Sequence, residues 1–79
     1  MKHHYLIEQF LRDETEPCCF IGTGSAVYGK GAELVKASHC YTSLVKAQQY
    51  ADKLNWKEFP YANFKVVEVP HVRIPEGIA

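Results

Sequence analysis

The sequence Thr-Ser-Leu-Val-Lys-Ala-Gln-Gln-Tyr-Ala-Asp-Lys-Leu, residues 42–54, decides the fold. Its apolar residues recur at spacings of three and four, which predicts a helix with one apolar face. That face collects Leu44, Ala47, Ala51 and Leu54. A hydroxyl at Thr42 or Ser43 caps the first turn, because a short side-chain oxygen accepts a hydrogen bond from an amide that has no partner within the helix. The two alanines allow this helix to lie close to the layer beneath it.

The rest of the chain contains segments with the composition of β-strands. Residues 3–11 place Tyr, Ile and Phe in a pattern that suits a pleated surface, with a short helix as the alternative interpretation. Residues 18–22 form a short apolar run between a proline and a glycine, which predicts a central strand. Residues 64–69, Phe-Lys-Val-Val-Glu-Val, are rich in β-branched residues and predict the last strand.

Glycines are concentrated between residues 22 and 31, which hold four of the chain's five. Glycine reaches positive φ at no steric cost, so such a run predicts turns or a close approach of the backbone to a ligand. We expect a hairpin turn at residues 28–31 and a third strand at residues 33–41, with a helix beginning near Gly31 as the alternative. The resulting fold class is α+β: an antiparallel sheet of three or four strands with one helix on one face, in the chain order β-β-β-α-β.

Composition indicates one small domain over residues 1–79, in which the prolines of residues 70–79 favour an extended C-terminal tail. Nine basic and nine acidic residues cancel, which argues against nucleic acid as the partner. The chain lacks an apolar run of the roughly 20 residues that a membrane span needs, and its first residues lack the apolar core of a signal peptide. We therefore expect a cytoplasmic protein without membrane association, whose three cysteines are free thiols.

Residues 24–30 match the spacing G-x-x-x-x-G-K of a phosphate-binding loop. The match fails at Gly31, where such loops place a Ser or Thr hydroxyl on magnesium, and the chain is too short for the parallel sheet of those enzymes. Two interpretations remain for residues 22–31. One is a hairpin, and the other is a nest of backbone amides that binds an anion, which would make the protein a binder of a small molecule or nucleotide.

Cysteine and histidine form two adjacent pairs, which makes Cys18, Cys19, His39 and Cys40 the candidate metal ligands. Zinc ligands of one segment usually have two to four residues between them, and adjacent residues of a strand point to opposite faces. A nucleophilic cysteine needs a histidine nearby as its base, and His39 is adjacent to Cys40, so their side chains are also expected to point apart. We therefore expect no metal, no cofactor and no catalytic site, and keep a small Cys-dependent or zinc-binding protein as an alternative.

Aromatic side chains are numerous for this length, and a large set of them is Tyr28, Tyr41, Tyr50, Trp56, Phe59, Tyr61 and Phe64. We expect most of these rings in the core or at an oligomer interface, with residues 55–63 folded under the end of the helix. Tyr and Trp supply much contact area at little loss of conformational entropy. The predicted partner-binding surface combines the glycine-rich loop with the aromatic loop, and its residues are Tyr28, Gly29, Lys30, Trp56 and Tyr61.

The second half of the chain carries a strand at residues 36–41, the helix pattern Thr-Ser-Leu-x-x-Ala-x-x-Tyr-Ala-x-x-Leu, and the strand Phe-Lys-Val-Val-Glu-Val. This layout resembles small orphan proteins encoded by bacteriophages and prophages, including small inhibitors of bacterial CRISPR systems. The resemblance implies a protein that binds a host or phage protein rather than catalysing a reaction. It contains no chemical motif, so it transfers no site residue. The prediction is a non-catalytic protein-binding module that modulates a host protein, alone or as a homodimer.

Overall fold

A four-stranded antiparallel sheet with one helix packed on it forms the protein, which confirms the predicted α+β class. The computed structural model describes residues 3–24, 26–70 and 74. Along the chain, the elements are β1 (Tyr5–Leu11), β2 (Cys19–Ile21), β3 (Val27–Gly29), a 3-10 helix (Ala37–His39), α1 (Leu44–Glu58) and β4 (Ala62–Glu68). The strand order across the sheet is β3-β2-β1-β4. Within these described residues, no helix is long and apolar enough to cross a membrane.

The N-terminal strand β1 lies inside the sheet and sets its register. It pairs with β4 from Tyr5 opposite Glu68 to Leu11 opposite Ala62, and with β2 around Ile7 opposite Ile21. Since side chains alternate between the two faces of a strand, odd-numbered residues of β1 face the helix and even-numbered residues face away from it. The sheet therefore has a helix face and an opposite face, each with its own small apolar core.

Helix α1 confirms the predicted helix and runs one turn beyond the predicted end at residue 54. The Ser43 hydroxyl accepts a hydrogen bond from the Lys46 amide at 3.3 Å, so Ser43 and not Thr42 is the cap. Ala47 and Ala51 are fully buried, and Ala51 packs with Ile7 and other residues of β1 and β4. The predicted apolar face is wrong at its first position, because the Leu44 side chain is 52% exposed.

The third strand is not where the sequence predicted it. The chain reverses between β2 and β3, where the Gly22 amide donates to the Ala26 carbonyl at 2.9 Å and Gly24 has a φ of +62°. The residues predicted as the hairpin turn, 28–31, instead end β3 and begin a separate turn closed from Ala32 to Gly29. Residues 33–41 hold no named strand; among them, Tyr41 forms an isolated bridge with Tyr5.

Residues 33–41 instead cover part of the face opposite the helix. They bring Val35 and Cys40 into a core cluster with Leu6, Val69 and Ile74. In a β-strand, every second side chain of this segment would face the sheet. Instead, the buried residues Val35 and Cys40 lie on either side of the 3-10 helix Ala37–His39. The buried Ile74 shows that part of the predicted tail lies on the domain, and residues 71–73 and 75–79 lie outside the described residues.

Candidate functional site

Three large aromatic side chains project from the end of α1 and the turn that follows it. Trp56 is 87% exposed, Phe59 is 72% exposed and Tyr61 is 73% exposed. The expectation that this segment folds under the helix is therefore wrong, because Ala47, Ala51 and Leu54 already fill the contact between helix and sheet. We call Trp56, Phe59 and Tyr61 the aromatic patch.

Backbone hydrogen bonds hold the aromatic patch on the rest of the fold. The Phe59 amide donates to the Asn55 carbonyl at 3.0 Å and closes the last turn of α1. The Tyr61 amide donates to the Glu58 carbonyl at 2.9 Å, and the Tyr61 carbonyl accepts from the Arg12 amide at 2.9 Å. Because these bonds fix the backbone on both sides of the turn, the rings are presented from a preorganised segment.

Asn55 ties the helix end to the outer edge of β4. Its side-chain amide donates to the Phe64 carbonyl at 2.9 Å, and its side-chain oxygen accepts from the Phe64 amide at 2.7 Å. These Phe64 groups face away from β1, so the Asn55 side chain takes the place that a neighbouring strand would take. The edge of β4 is thereby closed at Phe64 against pairing with another strand.

An open hollow of about 580 Å³ lies beside the patch. Its lining residues are Asn55, Trp56, Phe59, Asn63, Phe64 and Lys65. The aromatic walls of this hollow are typical of protein contact surfaces, in which Tyr, Trp and Phe are enriched.

The other half of the predicted contact surface lies at the opposite edge of the sheet. Gly29 and Lys30 are at the end of β3, whereas Trp56 and Tyr61 adjoin β4, the strand at the other edge. Three strand spacings of about 4.8 Å separate the two edges by about 14 Å. The five predicted residues therefore form two separate sites rather than one.

Tyr28 and Lys30 already have partners within the chain. The Tyr28 hydroxyl lies 2.6 Å from Nδ1 of His39 and accepts from the Lys36 amide at 3.1 Å, which fixes the 3-10 segment on β3. The Lys30 ammonium is 3.6 Å from the Glu16 carboxylate, with both side chains largely exposed. Because both side chains are largely exposed, this ion pair is weak, and the interpretation of residues 22–31 as a nest of backbone amides stays a prediction.

The four candidate metal ligands are divided between the two faces. Cys40 is buried opposite the helix, with its thiol 3.4 Å from the Lys36 carbonyl, and His39 bonds Tyr28. Cys18 and Cys19 remain together at the start of β2, with their sulfurs 3.7 Å apart. The prediction that these two side chains point to opposite faces is wrong. Cys18 lies one residue before the strand, so the alternation of strand side chains does not apply to it. Over the described residues, no group of three or more His, Cys, Asp or Glu side chains can hold a metal ion.

The two thiols of the pair are not equivalent. Cys19 donates to the side-chain oxygen of Gln9 across the β1–β2 pair at 3.2 Å. Burial, followed by the neighbouring Cys18 thiol, raises the pKa of Cys19 from 9.0 to about 11. Burial also raises the pKa of Cys40. Cys19 and Cys40 therefore stay protonated at neutral pH, the form in which a thiol is a poor nucleophile.

A groove on the face opposite the helix was not predicted from the sequence. It has a volume of about 260 Å³, and its walls include Leu6, Phe20, Val35 and Val67. Glu8 also lines the groove; it is half-buried and lies on the same face of β1 as Leu6. Lys65 stands opposite Glu8 in the register, yet its ammonium lies over the Phe10 ring, 5.3 Å from the centroid. Among the described residues, the Glu8 carboxylate forms no ion pair.

Comparison with protein-family models, with curated proteins and with solved structures finds no match to this chain.

Proposed function

We propose that this chain is a non-catalytic protein-binding module and that the aromatic patch is its contact surface. The observation that carries the proposal is the exposure of Trp56, Phe59 and Tyr61 within residues 56–61. An aromatic side chain can bury about 150–250 Å², and these three are 87%, 72% and 73% exposed, so together they supply about 350–580 Å². A standard protein interface buries about 800 Å² on each partner, so the patch suffices for the centre of one.

The surroundings of the patch indicate the kind of partner. Lys57 and Glu58 on the last turn of α1 and Lys65 on β4 are exposed beside it. A partner surface with an apolar centre and a rim that places acidic residues opposite the two lysines and a basic residue opposite Glu58 complements this arrangement. In keeping with the resemblance to small phage and prophage proteins, the proposed partner is a host or phage protein in the cytoplasm, whose activity the bound module modulates. A second copy of the chain is the alternative partner.

An affinity capture with matched variants tests the proposal. Tagged wild-type chain, Trp56→Ala, Tyr61→Ala and Val45→Ala are incubated with host lysate and bound proteins are quantified. Val45 is the control because it is an exposed apolar residue of the same helix, 65% exposed, outside the patch. We expect one protein to be captured stoichiometrically by the wild type and Val45→Ala. Truncating a Trp hot spot costs about 2 kcal/mol or more, so Trp56→Ala should bind about 30-fold more weakly.

Two readouts complete this experiment. The captured protein is then purified and titrated while Trp56 fluorescence is followed, because Trp56 is the single tryptophan of the chain. Burial of its indole on binding shifts the emission to shorter wavelength. Equal capture by wild type and Trp56→Ala contradicts the proposal. Sedimentation of the purified chain identifies the homodimer if the captured protein is a second copy.

A second candidate function is the binding of a small apolar cation in the groove. The observation in its favour is that two carboxylates, Glu8 and Glu68, line the groove among mostly apolar walls, and that Glu68 already contacts His3. An ammonium attached to an apolar body would pair with Glu8 and bury its body against residues such as Phe20 and Val35. This candidate stands beside the binding of a small molecule or nucleotide by residues 22–31, which the sequence predicts.

Phenethylamine and 2-phenylethanol separate charge recognition from apolar burial, because they have similar shapes and differ in the ammonium. We expect amide shifts around Val35 in NMR spectra with phenethylamine and about 5-fold weaker binding of the alcohol, since a partly exposed ion pair contributes about 1 kcal/mol. Glu8→Gln should reduce that difference, and Glu8→Gln combined with Glu68→Gln should remove it. Equal affinities for both compounds in the wild type would reject this candidate.

A further inference from the structure

The adjacent thiols of Cys18 and Cys19 are arranged as a pair of metal ligands. Their sulfurs are 3.7 Å apart, and both side chains are half-buried. Two metal–sulfur bonds of about 2.3 Å meeting at a tetrahedral angle place their sulfurs about 3.8 Å apart. The two sulfurs therefore already stand at the separation that a tetrahedral thiolate site requires.

A direct disulfide fits this pair less well than a bridging ion. Disulfides usually hold their Cα atoms about 4.4–6.8 Å apart. Consecutive Cα atoms across a trans peptide are about 3.8 Å apart. Cys18 and Cys19 are consecutive, so the backbone is too short for the usual disulfide geometry but places no such limit on two bonds to one ion.

The structure also provides access to the pair and fixes one of its members. An open hollow of about 420 Å³ borders Cys18, and Glu14, Glu16 and Lys30 are among its lining residues. An ion can therefore reach the Cys18 thiol from this hollow. The Gln9 side-chain oxygen accepts from the Cys19 thiol at 3.2 Å and orients this thiol while it is protonated; the proton of this bond is one of the two that leave when an ion binds.

We propose that Cys18 and Cys19 form a two-thiolate site for a thiophilic divalent cation of the Zn²⁺ class, with its other positions open to exogenous ligands. Binding replaces both thiol protons, so one divalent ion enters and two protons leave. No electron is transferred. While both thiols are protonated, mass action makes the apparent affinity rise about a hundredfold per pH unit.

Cadmium titration of the full-length chain, kept reduced by a phosphine, tests this site. Thiolate-to-metal charge-transfer absorbance reports Cd²⁺–sulfur bonds directly. We expect saturation at one ion per chain, and affinity at least tenfold lower for Cys18→Ser and for Cys19→Ser. Cys40→Ala is the control, because Cys40 is buried in the core on the opposite face. Trp56→Ala should bind Cd²⁺ like the wild type, which separates this site from the aromatic patch.

Each other outcome has a definite meaning. Saturation at one ion per two chains supports the thiol pair and shows that a second copy fills the open positions. The absence of charge-transfer absorbance overturns the proposal. So does wild-type affinity in both serine variants, or a pH dependence that corresponds to one released proton.

Discussion

Gly22→Ala should destabilise the fold more than any other glycine-to-alanine substitution among the described glycines. A Cβ atom at residue 22 would lie 2.1 Å from the His39 carbonyl oxygen and 3.3 Å from a Leu6 methyl group. Ordinary contacts of this kind begin at 3.4 Å, so the 3-10 segment would have to move by about 1.3 Å, the difference between that limit and 2.1 Å. Gly22 is therefore required for the close approach of this segment to the β2–β3 hairpin.

The displacement breaks the contacts that hold the segment. The Thr23 amide donates to the His39 carbonyl at 2.8 Å, and the Thr23 hydroxyl donates to the Ser38 carbonyl at 2.8 Å. A movement of this size lengthens both bonds beyond hydrogen-bonding distance, at a net loss of about 1 kcal/mol each. Overpacking adds about 1–3 kcal/mol. We expect a total loss of about 3–5 kcal/mol, from a stability of about 4–12 kcal/mol for a chain of this length.

Urea unfolding of matched variants measures this loss. With an m-value of about 1 kcal/mol/M, Gly22→Ala should lower the midpoint by about 3 M or leave the chain unfolded without urea. Gly31→Ala is the control, because nothing lies within 4 Å of its Cβ position. Gly24→Ala has the same free space but a φ of +62°, so it should lose only about 1 kcal/mol through backbone strain.

The ranking of the three variants is decisive. If Gly22→Ala unfolds within 0.5 M of the Gly31→Ala midpoint, the docking of the 3-10 segment against Gly22 is not a main contribution to stability. If Gly24→Ala is the most damaging, turn conformation matters more than the close approach.

Asn55→Ala should lower the free energy of unfolding by about 2 kcal/mol, because two hydrogen bonds to Phe64 are lost. Asn55→Asp keeps the acceptor but loses the donor, so its free energy of unfolding should lie between those of the wild type and Asn55→Ala. Equal stability of the wild type and both variants would contradict the role of this amide. Trp56 fluorescence should be quenched by acrylamide nearly as efficiently as free indole, since the side chain is 87% exposed; strong protection would refute its exposure. Stability should fall as pH rises from 9.0 towards about 11, because folded Cys19 keeps a proton that the unfolded chain releases. Cys19→Ala should reduce that decline in the unfolding midpoint, and an unchanged pH profile would show that Cys19 does not contribute.

The sequence named two residues of the candidate site but did not predict their exposure. Trp56 and Tyr61 were predicted as contact residues from their types, while residues 55–63 were predicted to fold under the end of the helix, and both rings are exposed instead. Their grouping with Lys30 was not predictable, because the strand that carries Gly29 lies at the other edge of the sheet. The thiol pair also escaped prediction, because strand alternation was applied to Cys18, which lies one residue before the strand.

The sequence by itself determined the helix and the strands β2 and β4, since these depend on the spacing and type of neighbouring residues. It left the helix cap between Thr42 and Ser43, and it left a short helix as the alternative to β1; the structure decided both. Only the tertiary structure decided the third strand, the path of residues 33–41 and the exposure of the aromatic patch. Each of these depends on which face of the sheet the helix leaves uncovered. The buried alanines of the helix cover one face, which leaves no room there for Trp56, and Trp56 remains exposed. The opposite face is covered by other residues, among them Val35 and Cys40.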